Sequence, residues 1–587
     1  MCGIVAIAGI NLNINRYKTV AMLQKLEHRG PDGVGEQMFS NCWLGNRRLA
    51  ILDLKTGNQP ILDGELAITF NGEIYNHYEL RAQLEKSGYH FQTQSDTETI
   101  LKAYRKWGGE CPKHLDGMFA FVIWNNKSEE MFIARDRLGK KPLYYSFDGN
   151  TMLLASEIKS VLASGVLVPQ LDYKTIDNYL RIMYIPPWKS VYRNIYQIPP
   201  AHCGTFKNSK LTLKRYWTIF RQPIKISYED AKAEVRRILY DAIKKRVTTS
   251  DVEIGAFVSG GIDSALVALM AANELNYSLK AFSVSYGDLD ELPFAEQVCK
   301  KTGSEHFTTQ INKCLTSELD EVIAYFDEPH ADTSDFPQHI ISRLASQKVK
   351  VVLSGDGADE LFLGYKWHVL SKKFKPESGI SEQFSPNFFH ERLYSICAFS
   401  LQQRELLWNS TDMINDDVLA KDIYNNMSDS MDRVTIFDLT SHLPGQILTK
   451  IDRSGMMHGL EVRSPFLDTA LIEFVFNLPY EYKVRNGEQK SIIKDILAEY
   501  MPADFVHRRK QGFGAPIELW LNNNRITEYV YTKLGSNARI RAIFSGKSID
   551  SCLSDFYVNN RRHERAAQRL WVLLCLERWM TQLNLAL

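Results

Sequence analysis

Short apolar runs separated by Gly, Asn and Asp fill the chain from residue 1 to about residue 206. Runs of this length, bounded by turn-forming residues, are typical of buried strands. The clearest candidates are residues 3–9, 66–70, 119–124, 131–134 and 143–147. Apolar positions at helical spacing predict amphipathic helices at 18–27 and 79–86 between these runs. The pattern therefore predicts a sheet-rich first domain.

A different alternation begins after about residue 227. Strands are predicted at 253–258, 280–285 and 349–353, with helices at 228–246 and 264–272. Strands that alternate with helices indicate a parallel, doubly wound sheet, and beyond residue 436 the pattern is mainly helical. The segment 186–216, which contains two Pro-Pro pairs, reads as turns that bridge the two regions. We therefore expect one domain at 1–206 and another at 227–587.

Composition agrees with more than one domain, because 587 residues are too many for a single core. The 70 basic and 69 acidic residues give a formal charge of +1, which argues against a nucleic-acid or membrane-surface partner. The nine cysteines form no C-x-x-C pair, and no run approaches the roughly 20 apolar residues of a spanning helix. We therefore expect a cytoplasmic protein without structural disulfides or membrane segments.

Cys2 directly follows the initiator Met and is the first candidate catalytic residue. Removal of Met1 would give Cys2 a free α-amine beside its thiol. The reference pKa values of these groups are about 8 and about 8.5, so one residue could supply both base and nucleophile. For this residue taken alone, a cysteine buried in a strand is the simpler interpretation.

Four motifs that follow one another along the chain favour a catalytic interpretation of Cys2. They are MCGI at residues 1–4, HRGPD at 28–32, NGEIYN at 71–76 and SD at 95–96. The last of them opens a predicted helix with a capping signature. Together they resemble the class II glutamine amidotransferase domain. The resemblance implies an αββα N-terminal-nucleophile hydrolase fold for the first domain.

The resemblance also implies roles for individual residues. Cys2 would form a glutamyl thioester, and the Asn71 side chain and the Gly72 backbone amide would form the oxyanion hole. Arg48 would bind the α-carboxylate of glutamine through two hydrogen bonds, which a planar guanidinium makes well. The remaining residues implied for glutamine binding are Leu49, Ala50, Ile51, Leu52, Glu73 and Asp96, the last two as acceptors for the α-ammonium group.

The turn after the predicted strand 253–258 reads SGGIDS at residues 259–264 and leads into a helix. Backbone amides and the positive end of a helix bind phosphate at such a turn. The spacing is neither G-x-x-x-x-G-K-[ST] nor G-x-G-x-x-G. Neither motif occurs in a suitable strand-to-helix context elsewhere, which disfavours γ-phosphoryl transfer and dinucleotide binding.

SGGIDS resembles the pyrophosphate loop of the ATP pyrophosphatases, which cleave ATP between its α and β phosphates and leave AMP on a carboxylate. Further motifs are LSGDGADELF at 353–362, KIDR at 450–453, EVRSPFLD at 461–468 and KQGF at 510–513. With the amidotransferase domain in front, the set resembles the glutamine-hydrolysing asparagine synthetase family from end to end. Glutamine, ATP and aspartate are the substrates that this resemblance implies.

The same resemblance implies the residues of the synthetase site. Asp263 and Asp359 would bind Mg²⁺ on the phosphates, because hard cations take carboxylate oxygens. Lys490 would neutralise charge that develops on pyrophosphate, and Asp356 counts among the catalytic residues. The residues implied for ATP binding are Val258, Ser259, Gly260, Gly261, Asp263, Ser264, Val284, Ser354 and Gly355.

Three departures from the family pattern concern the acceptor. Asp356 stands where well-known bacterial members have Glu, Leu363 takes a position that is often Gly, and residues 456–459 read MMHG. We expect these residues near the acceptor site, so they leave open which carboxylate is amidated. Aspartate is the leading acceptor, and a sugar carboxylate is the rival within the enzyme class. A non-catalytic sensor of glutamine or ATP is the rival from another class.

Two sites on one chain also predict a passage between them. Ammonia is mostly protonated in neutral solvent, whereas an apolar channel along the domain interface would keep it uncharged. The sequence leaves the oligomeric state open, with a homodimer as one option.

Overall fold

Two antiparallel sheets form the first domain of the computed structural model, which describes residues 1–286, 291–311, 316–371, 397–415, 430–508, 514–558 and 564–582. The strands are β1 Cys2–Gly9, β2 Gly33–Met38, β3 Cys42–Arg48, β4 Ile61–Asp63, β5 Leu66–Ile74, β6 Gly117–Asn125, β7 Glu130–Arg135, β8 Tyr144–Phe147, β9 Thr151–Ala155, β10 Tyr196–Gln197, β11 His202–Lys207 and β12 Lys210–Arg215. One sheet has the order β10-β8-β9-β1-β3-β2, and the other has the order β12-β11-β7-β6-β5-β4.

The two sheets pack face to face, and helices cover their outer faces. Small and branched side chains such as Ala6, Ala120 and Val122 fill the space between the sheets. The helices are α1 Thr19–Gln24, α2 His77–Lys86, α3 Asp96–Trp107, α4 Cys111–His114, α5 Ile158–Leu162 and α6 Tyr173–Ile182. Strand β1 is buried along its whole length, which explains its continuous apolar run. These four layers confirm the predicted αββα fold.

The first domain extends beyond the predicted boundary. Residue 206 lies inside β11, and β12 pairs with β11 from His202↔Arg215 to Lys207↔Lys210. The sheet therefore continues to Arg215.

A five-stranded parallel sheet forms the centre of the second domain. Its strands are β13 Ile254–Phe257, β14 Lys280–Ser285, β15 Glu305–Gln310, β16 Val351–Leu353 and β17 Glu461–Arg463, and a separate hairpin contains β18 Val484–Arg485 and β19 Glu488–Gln489. The order is β15-β14-β13-β16-β17, so the chain reverses its direction of winding between β13 and β16. Ligands of doubly wound sheets bind in the crevice at such a switch point.

Helices surround this sheet and fill the rest of the second domain. They are α7 Tyr228–Thr248, α8 Ile262–Asn273, α9 Leu292–Thr302, α10 Thr316–Tyr325, α11 Asp335–Ser346, α12 Ala358–Leu361, α13 Lys366–Ser371, α14 Leu401–Leu407, α15 Ser430–Phe437, α16 Leu448–Met456, α17 Thr469–Asn477, α18 Tyr480–Lys483, α19 Ser491–Leu497, α20 Ala503–Val506, α21 Ile517–Leu521, α22 Asn524–Lys533, α23 Gly546–Tyr557 and α24 Glu564–Gln582. A π-helical segment, Asp438–Ile447, contains Pro444 and joins α15 to α16. Within the described ranges, no helix is long and apolar enough to cross a bilayer.

Buried charges hold the two domains together. Arg29 Nη1 lies 2.8 Å from Glu157 Oε1 of its own domain and 2.8 Å from Asp452 Oδ2 of the second domain. Arg453 Nη1 lies 2.8 Å from Glu157 Oε1 in return and 3.3 Å from Asp327 Oδ2. All five side chains are nearly inaccessible to solvent. Removing one partner would leave an uncompensated buried charge, which typically costs about 3–5 kcal/mol.

Candidate active sites

Cys2 lies at the start of β1, buried beneath the domain interface. Its backbone N donates to Asn71 Oδ1 at 3.0 Å, and its carbonyl accepts from Arg29 Nε at 3.2 Å. Gln59 Nε2 lies 3.9 Å from the sulfur. Burial raises the pKa of the Cys2 thiol, although the N-terminal ammonium acts in the opposite direction. The thiol therefore needs a nearby base to become a nucleophile.

Asn71 and Gly72 lie beside Cys2 in the middle of β5, as the resemblance implied. Asn71 Nδ2 is buried and has no hydrogen-bond partner among the described residues. An unused buried donor is costly unless a ligand accepts from it, so this amide is suited to a developing oxyanion. A side chain at Gly72 would collide with the Met118 carbonyl of β6. Glycine is therefore required for the close approach of these two strands.

Glu73 and Asp96 converge on the same buried region. Asp96 Oδ2 accepts from the Ile74 amide at 3.0 Å, and Ser95 caps α3 by accepting from the Thr97 amide. Burial raises the pKa of Asp96 to about 6. Glu73 Oε2 accepts from Arg463 Nη2 at 3.1 Å, whereas Glu73 Oε1 is buried without a hydrogen-bond partner in the described chain. The free oxygen could accept from an α-ammonium group.

Arg48 is bound to a neighbouring loop. Its Nη1 donates to Asn58 Oδ1 at 2.9 Å, and its Nη2 donates to the Asp53 carbonyl at 2.5 Å and the Leu52 carbonyl at 3.3 Å. Leu49, Ile51 and Leu52 are buried, and Ala50 is partly exposed. Arg48, which the resemblance implies binds the α-carboxylate of glutamine, thus lies at the edge of the site, and the 52–58 loop holds its guanidinium.

The second site is a cleft of about 730 Å³ at the switch point of the parallel sheet. Most residues implied for ATP binding line it, namely Ser259, Gly261, Asp263, Ser264, Val284, Ser354 and Gly355. A Cβ at Gly355 would lie 2.7 Å from the Ser264 amide nitrogen, so the loops after β13 and β16 are in contact. Of the other two, Val258 is 1% exposed, and Gly260 is backed by the Glu291 carbonyl, so neither lines the cleft.

Two carboxylates and one lysine meet inside this cleft. Lys490 Nζ lies 2.6 Å from Asp263 Oδ2 and 2.7 Å from Asp359 Oδ1. Burial opposes its positive charge, but the two carboxylates outweigh burial and raise the pKa of Lys490. A side chain at Gly364 would collide with both Lys490 and Asp359. The sequence resemblance thus selected three side chains that lie in mutual contact.

The far end of the cleft carries both signs of charge. Lys450 Nζ lies 2.7 Å from Ser334 Oγ and 3.2 Å from Asp332 Oδ2. Burial raises the pKa of Asp356, although the Lys450 ammonium partly offsets this effect. Burial also raises the pKa of Glu360 to about 7. This end could bind a zwitterionic acceptor.

The three departures from the family pattern differ in their relation to the wall of the cleft. Asp356 lines the cleft, but Leu363 and residues 456–459 are absent from its described lining. Leu363 is fully buried, and the His458 ring packs 4.8 Å from the ring of His339. Gly459 faces the His28 carbonyl of the first domain. The MMHG segment therefore belongs to the domain interface. The KQGF motif at 510–513 lies outside the described residues.

Sequence reasoning missed the residues that join the sites. Arg29 lies in the HRGPD motif but received no predicted role, yet its side chain bonds to both Cys2 and Asp452. Glu461 and Arg463 lie in EVRSPFLD, and Arg463 reaches Glu73 in the other domain. The available signal was that these three charged residues, Arg29, Glu461 and Arg463, have apolar surroundings. Buried charges require partners, so such residues indicate contacts elsewhere in the chain. The partners themselves could not be read from the chain.

The first site is a buried cysteine beside an unused amide donor, and the second is a cleft at the switch point of the parallel sheet, where two loops suited to phosphate meet. Together they define a glutamine amidotransferase fused to a nucleotide-dependent synthetase. Residues 1–217 match the glutamine amidotransferase domain, and residues 234–581 match asparagine synthase. The chain is 30% identical to glutamine-hydrolyzing asparagine synthetase 1 of Bacillus subtilis (strain 168), over 95% of this chain and 92% of that protein.

Glutamine-hydrolyzing asparagine synthetase 3 of the same organism is also 30% identical, over 87% of each chain. A solved structure of glutamine phosphoribosylpyrophosphate amidotransferase from B. subtilis, complexed with ADP and GMP, aligns with a TM-score of 0.30 and 17% identity, over 53% of this chain and 81% of that one. This chain belongs to the glutamine-hydrolysing asparagine synthetase family, a family of carbon–nitrogen ligases.

Proposed function

We propose that this protein makes asparagine from aspartate, using ATP and the amide nitrogen of glutamine. The observation that carries the proposal is the presence on one chain of Cys2 beside the unused Asn71 donor and of Lys490 between two carboxylates in the cleft. The relatives that cover most of the chain are named asparagine synthetases, which favours aspartate over a sugar carboxylate.

The test is an assay of products. Glutamine, aspartate and ATP are expected to give asparagine, glutamate, AMP and pyrophosphate in equal amounts. A panel of uronic acids and other carboxylates, scored by AMP release, examines the rival acceptors. AMP formation with a uronic acid but not with aspartate would contradict the proposed acceptor, and no AMP with any acceptor would favour a sensor.

Glutamine hydrolysis would proceed at Cys2 after removal of Met1. The α-amine of Cys2 takes the thiol proton as sulfur attacks the amide carbon of glutamine, and then gives it to the leaving nitrogen. Asn71 Nδ2 and the Gly72 amide stabilise the oxyanion of the tetrahedral intermediate. Arg29 does not bind substrate in this scheme. Its Nε donates to the Cys2 carbonyl and so orients the nucleophile. Ammonia leaves, and water then releases glutamate from the thioester.

Adenylation would take place where the two loops meet. The helix α8 presents its N-terminus and the SGGIDS amides to phosphate. The carboxylates of Asp263 and Asp359 already converge on one cation, the Lys490 ammonium, so they fit a Mg²⁺ that arrives with ATP. Bound there, Mg²⁺ would neutralise phosphate charge. Lys490 then faces the pyrophosphate leaving group, and the aspartate carboxylate attacks the α-phosphorus from the end near Lys450.

Ammonia would pass between the sites along the domain interface. A cavity of about 20 Å³ lies there, which is the space of roughly one water-sized molecule. The first domain contributes Met118 and Lys141 to its wall, and the second contributes Ile451 and Ser464. Ser464 Oγ lies 3.0 Å from Ser354 Oγ of the ATP loop. This cavity supports the predicted passage.

Asn71→Ala is expected to lower kcat for glutamine hydrolysis by about 100- to 1,000-fold, because one oxyanion donor is lost. KM for glutamine should change little, since Asn71 Nδ2 acts mainly on the transition state. Steady-state glutamate production measures both constants. Asn58→Ala, which removes only a partner of Arg48, serves as the comparison and should act on KM instead. Unchanged kcat in the Asn71 variant would remove the residue from the oxyanion hole.

Glutamine binding is expected to weaken as pH falls through about 6. Burial raises the pKa of Asp96 to about 6, so its negative charge is lost well above the usual range of an aspartate. Only the ionised carboxylate attracts the α-ammonium group of glutamine, so Kd should rise roughly fivefold between pH 6 and pH 5. Calorimetry on the Cys2→Ala protein avoids turnover. Asp96→Asn should bind weakly at every pH, and a pH-independent Kd in the parent would contradict the assignment.

A further inference from the structure

Met1 lies between the two sites. Its side chain is 3% exposed and belongs to the same apolar cluster as Ile451 and Val462 of the second domain. Its α-nitrogen lies 3.0 Å from Glu461 Oε2, and both groups are buried. The structure therefore holds a primary ammonium group in the domain interface, one residue away from the nucleophile.

Glu461 is fixed for this contact. Arg463 Nε donates to Glu461 Oε1 at 2.6 Å, and the Glu461 backbone amide donates to the Lys350 carbonyl at 2.8 Å. The other Glu461 oxygen, Oε2, contacts the Met1 ammonium and has no further hydrogen-bond partner in the described part of the chain. Burial opposes ionisation, but the Met1 ammonium and the Arg463 guanidinium outweigh it and lower the pKa of Glu461 to about 2. Removal of Met1 would therefore leave this oxygen open to another donor.

The small interface cavity adjoins this contact through Met1 and Val462, although Glu461 itself is not part of its described wall. Met1 forms part of its wall, together with Val462 and Ser464, which flank Arg463 along the chain. Ser464, a residue of this wall, also contacts Ser354 of the ATP loop through its hydroxyl group. Loss of Met1 would enlarge the cavity by the volume of a methionine and would extend it towards Cys2.

We propose that Glu461 is a binding site for ammonia in transit between the two reactions. The inference rests on the proposed function: once Met1 is removed, ammonia released at Cys2 takes the position that the Met1 α-nitrogen occupies here. An N–H of ammonia donates to Glu461 Oε2, and the nitrogen lone pair stays available for the acyl adenylate. No proton is transferred in this step, because the thiol proton has already gone to the leaving nitrogen. Met1 itself blocks the passage until it is removed.

The first test compares nitrogen sources in Met1-free enzyme, with Met1 removal checked by mass spectrometry. Unlabelled glutamine and excess ¹⁵N-ammonium are supplied together, and the ratio of unlabelled asparagine to glutamate is measured with the ¹⁵N content of the product. Glu461→Gln is expected to lower this ratio about tenfold, as fits the loss of a hydrogen bond to a charged group, and to raise the ¹⁵N content. The ratio corrects for any general loss of rate.

Glu157→Gln is the matched control, because it removes an equally buried interdomain carboxylate that pairs with Arg29 and Arg453 and not with the Met1 α-nitrogen. An unchanged ratio in Glu461→Gln would overturn the proposal, and so would an equal fall in Glu157→Gln. Failure of the parent enzyme to form asparagine or AMP is a different result, which contradicts the proposed function itself.

A second measurement needs neither turnover nor a stable Glu461 variant. Crystals of Met1-free Cys2→Ala protein are soaked in thallium(I) acetate, since thallium(I) is close to ammonium in size and charge and scatters anomalously. An anomalous peak is expected within about 3 Å of Glu461 Oε2, the length of an ordinary charged contact. A map without a peak at Glu461 would overturn the site.

Discussion

Cys2→Ala is expected to abolish glutamine hydrolysis while synthesis from added ammonium continues. Loss of the nucleophile removes the covalent pathway, so glutamate production should fall by more than roughly 1,000-fold. The cleft that would use ATP lies in the other domain and takes no residue from β1, so it should keep its activity with ammonium. Separate assays of glutamate release and of ammonium-dependent asparagine formation measure the two reactions.

Cys42→Ala is the matched control for this variant. Cys42 is fully buried in β3, pairs with Ala8 across from β1, and has a thiol whose pKa burial raises well above its usual range. It has no role in the proposed chemistry, so its loss should affect stability slightly and leave glutaminase activity. Glutamate release by Cys2→Ala at the parent rate would remove Cys2 from the mechanism.

Asp263→Asn is expected to eliminate asparagine formation with either nitrogen source. The substitution takes a negative charge from a cluster in which Lys490 Nζ lies 2.6 Å from Asp263 Oδ2. Both the Mg²⁺ site and the position of Lys490 then change, and loss of such electrostatic stabilisation typically costs at least about 100-fold in rate. Pyrophosphate release measures this loss directly, and glutamine hydrolysis should survive.

Asp495→Asn is the comparison for that loss. Asp495 lies on α19, bonds to the Tyr228 hydroxyl and is absent from the wall of the cleft. The same change of aspartate to asparagine there should leave pyrophosphate release near the parent rate. Normal ammonium-dependent synthesis by Asp263→Asn would show that the SGGIDS loop does not serve adenylation.

The strands were predictable because their burial is local information. Residues 280–285 form a strand with the predicted bounds, and β1 and β6 extend the predicted runs by one to two residues. Their apolar side chains are covered on both sides, so the pattern along the chain records the layers directly. The helix predicted at 18–27 is shorter, Thr19–Gln24, because the Leu26 and Glu27 amides bond to carbonyls three residues back, which forms tighter turns in place of the α-helix.

The site residues also divide into those that a local sequence pattern could predict and those that it could not. Asn71, Gly72 and Asp263 stand in contiguous motifs, so the sequence alone predicts roles for them. Contacts across the interface depend on which faces of two domains meet, and no local pattern encodes that. Arg463 reaches Glu73 across 390 positions of sequence. Only the assembled structure could show that the second domain contacts Glu73, one of the residues predicted to bind glutamine in the first.

The shared ion network sets a condition for engineering the molecule. Arg29 and Glu157 come from the first domain, and Asp452 and Arg453 come from adjacent positions of α16 in the second. A glutaminase half transplanted onto a foreign synthetase would keep the Arg29–Glu157 pair but would lose Asp452 and Arg453, which complete the buried network, and a broken buried network typically costs about 3–5 kcal/mol. A productive chimera must carry the Asp452-Arg453 pair with it. The exchangeable unit is therefore the domain together with one helix of its neighbour.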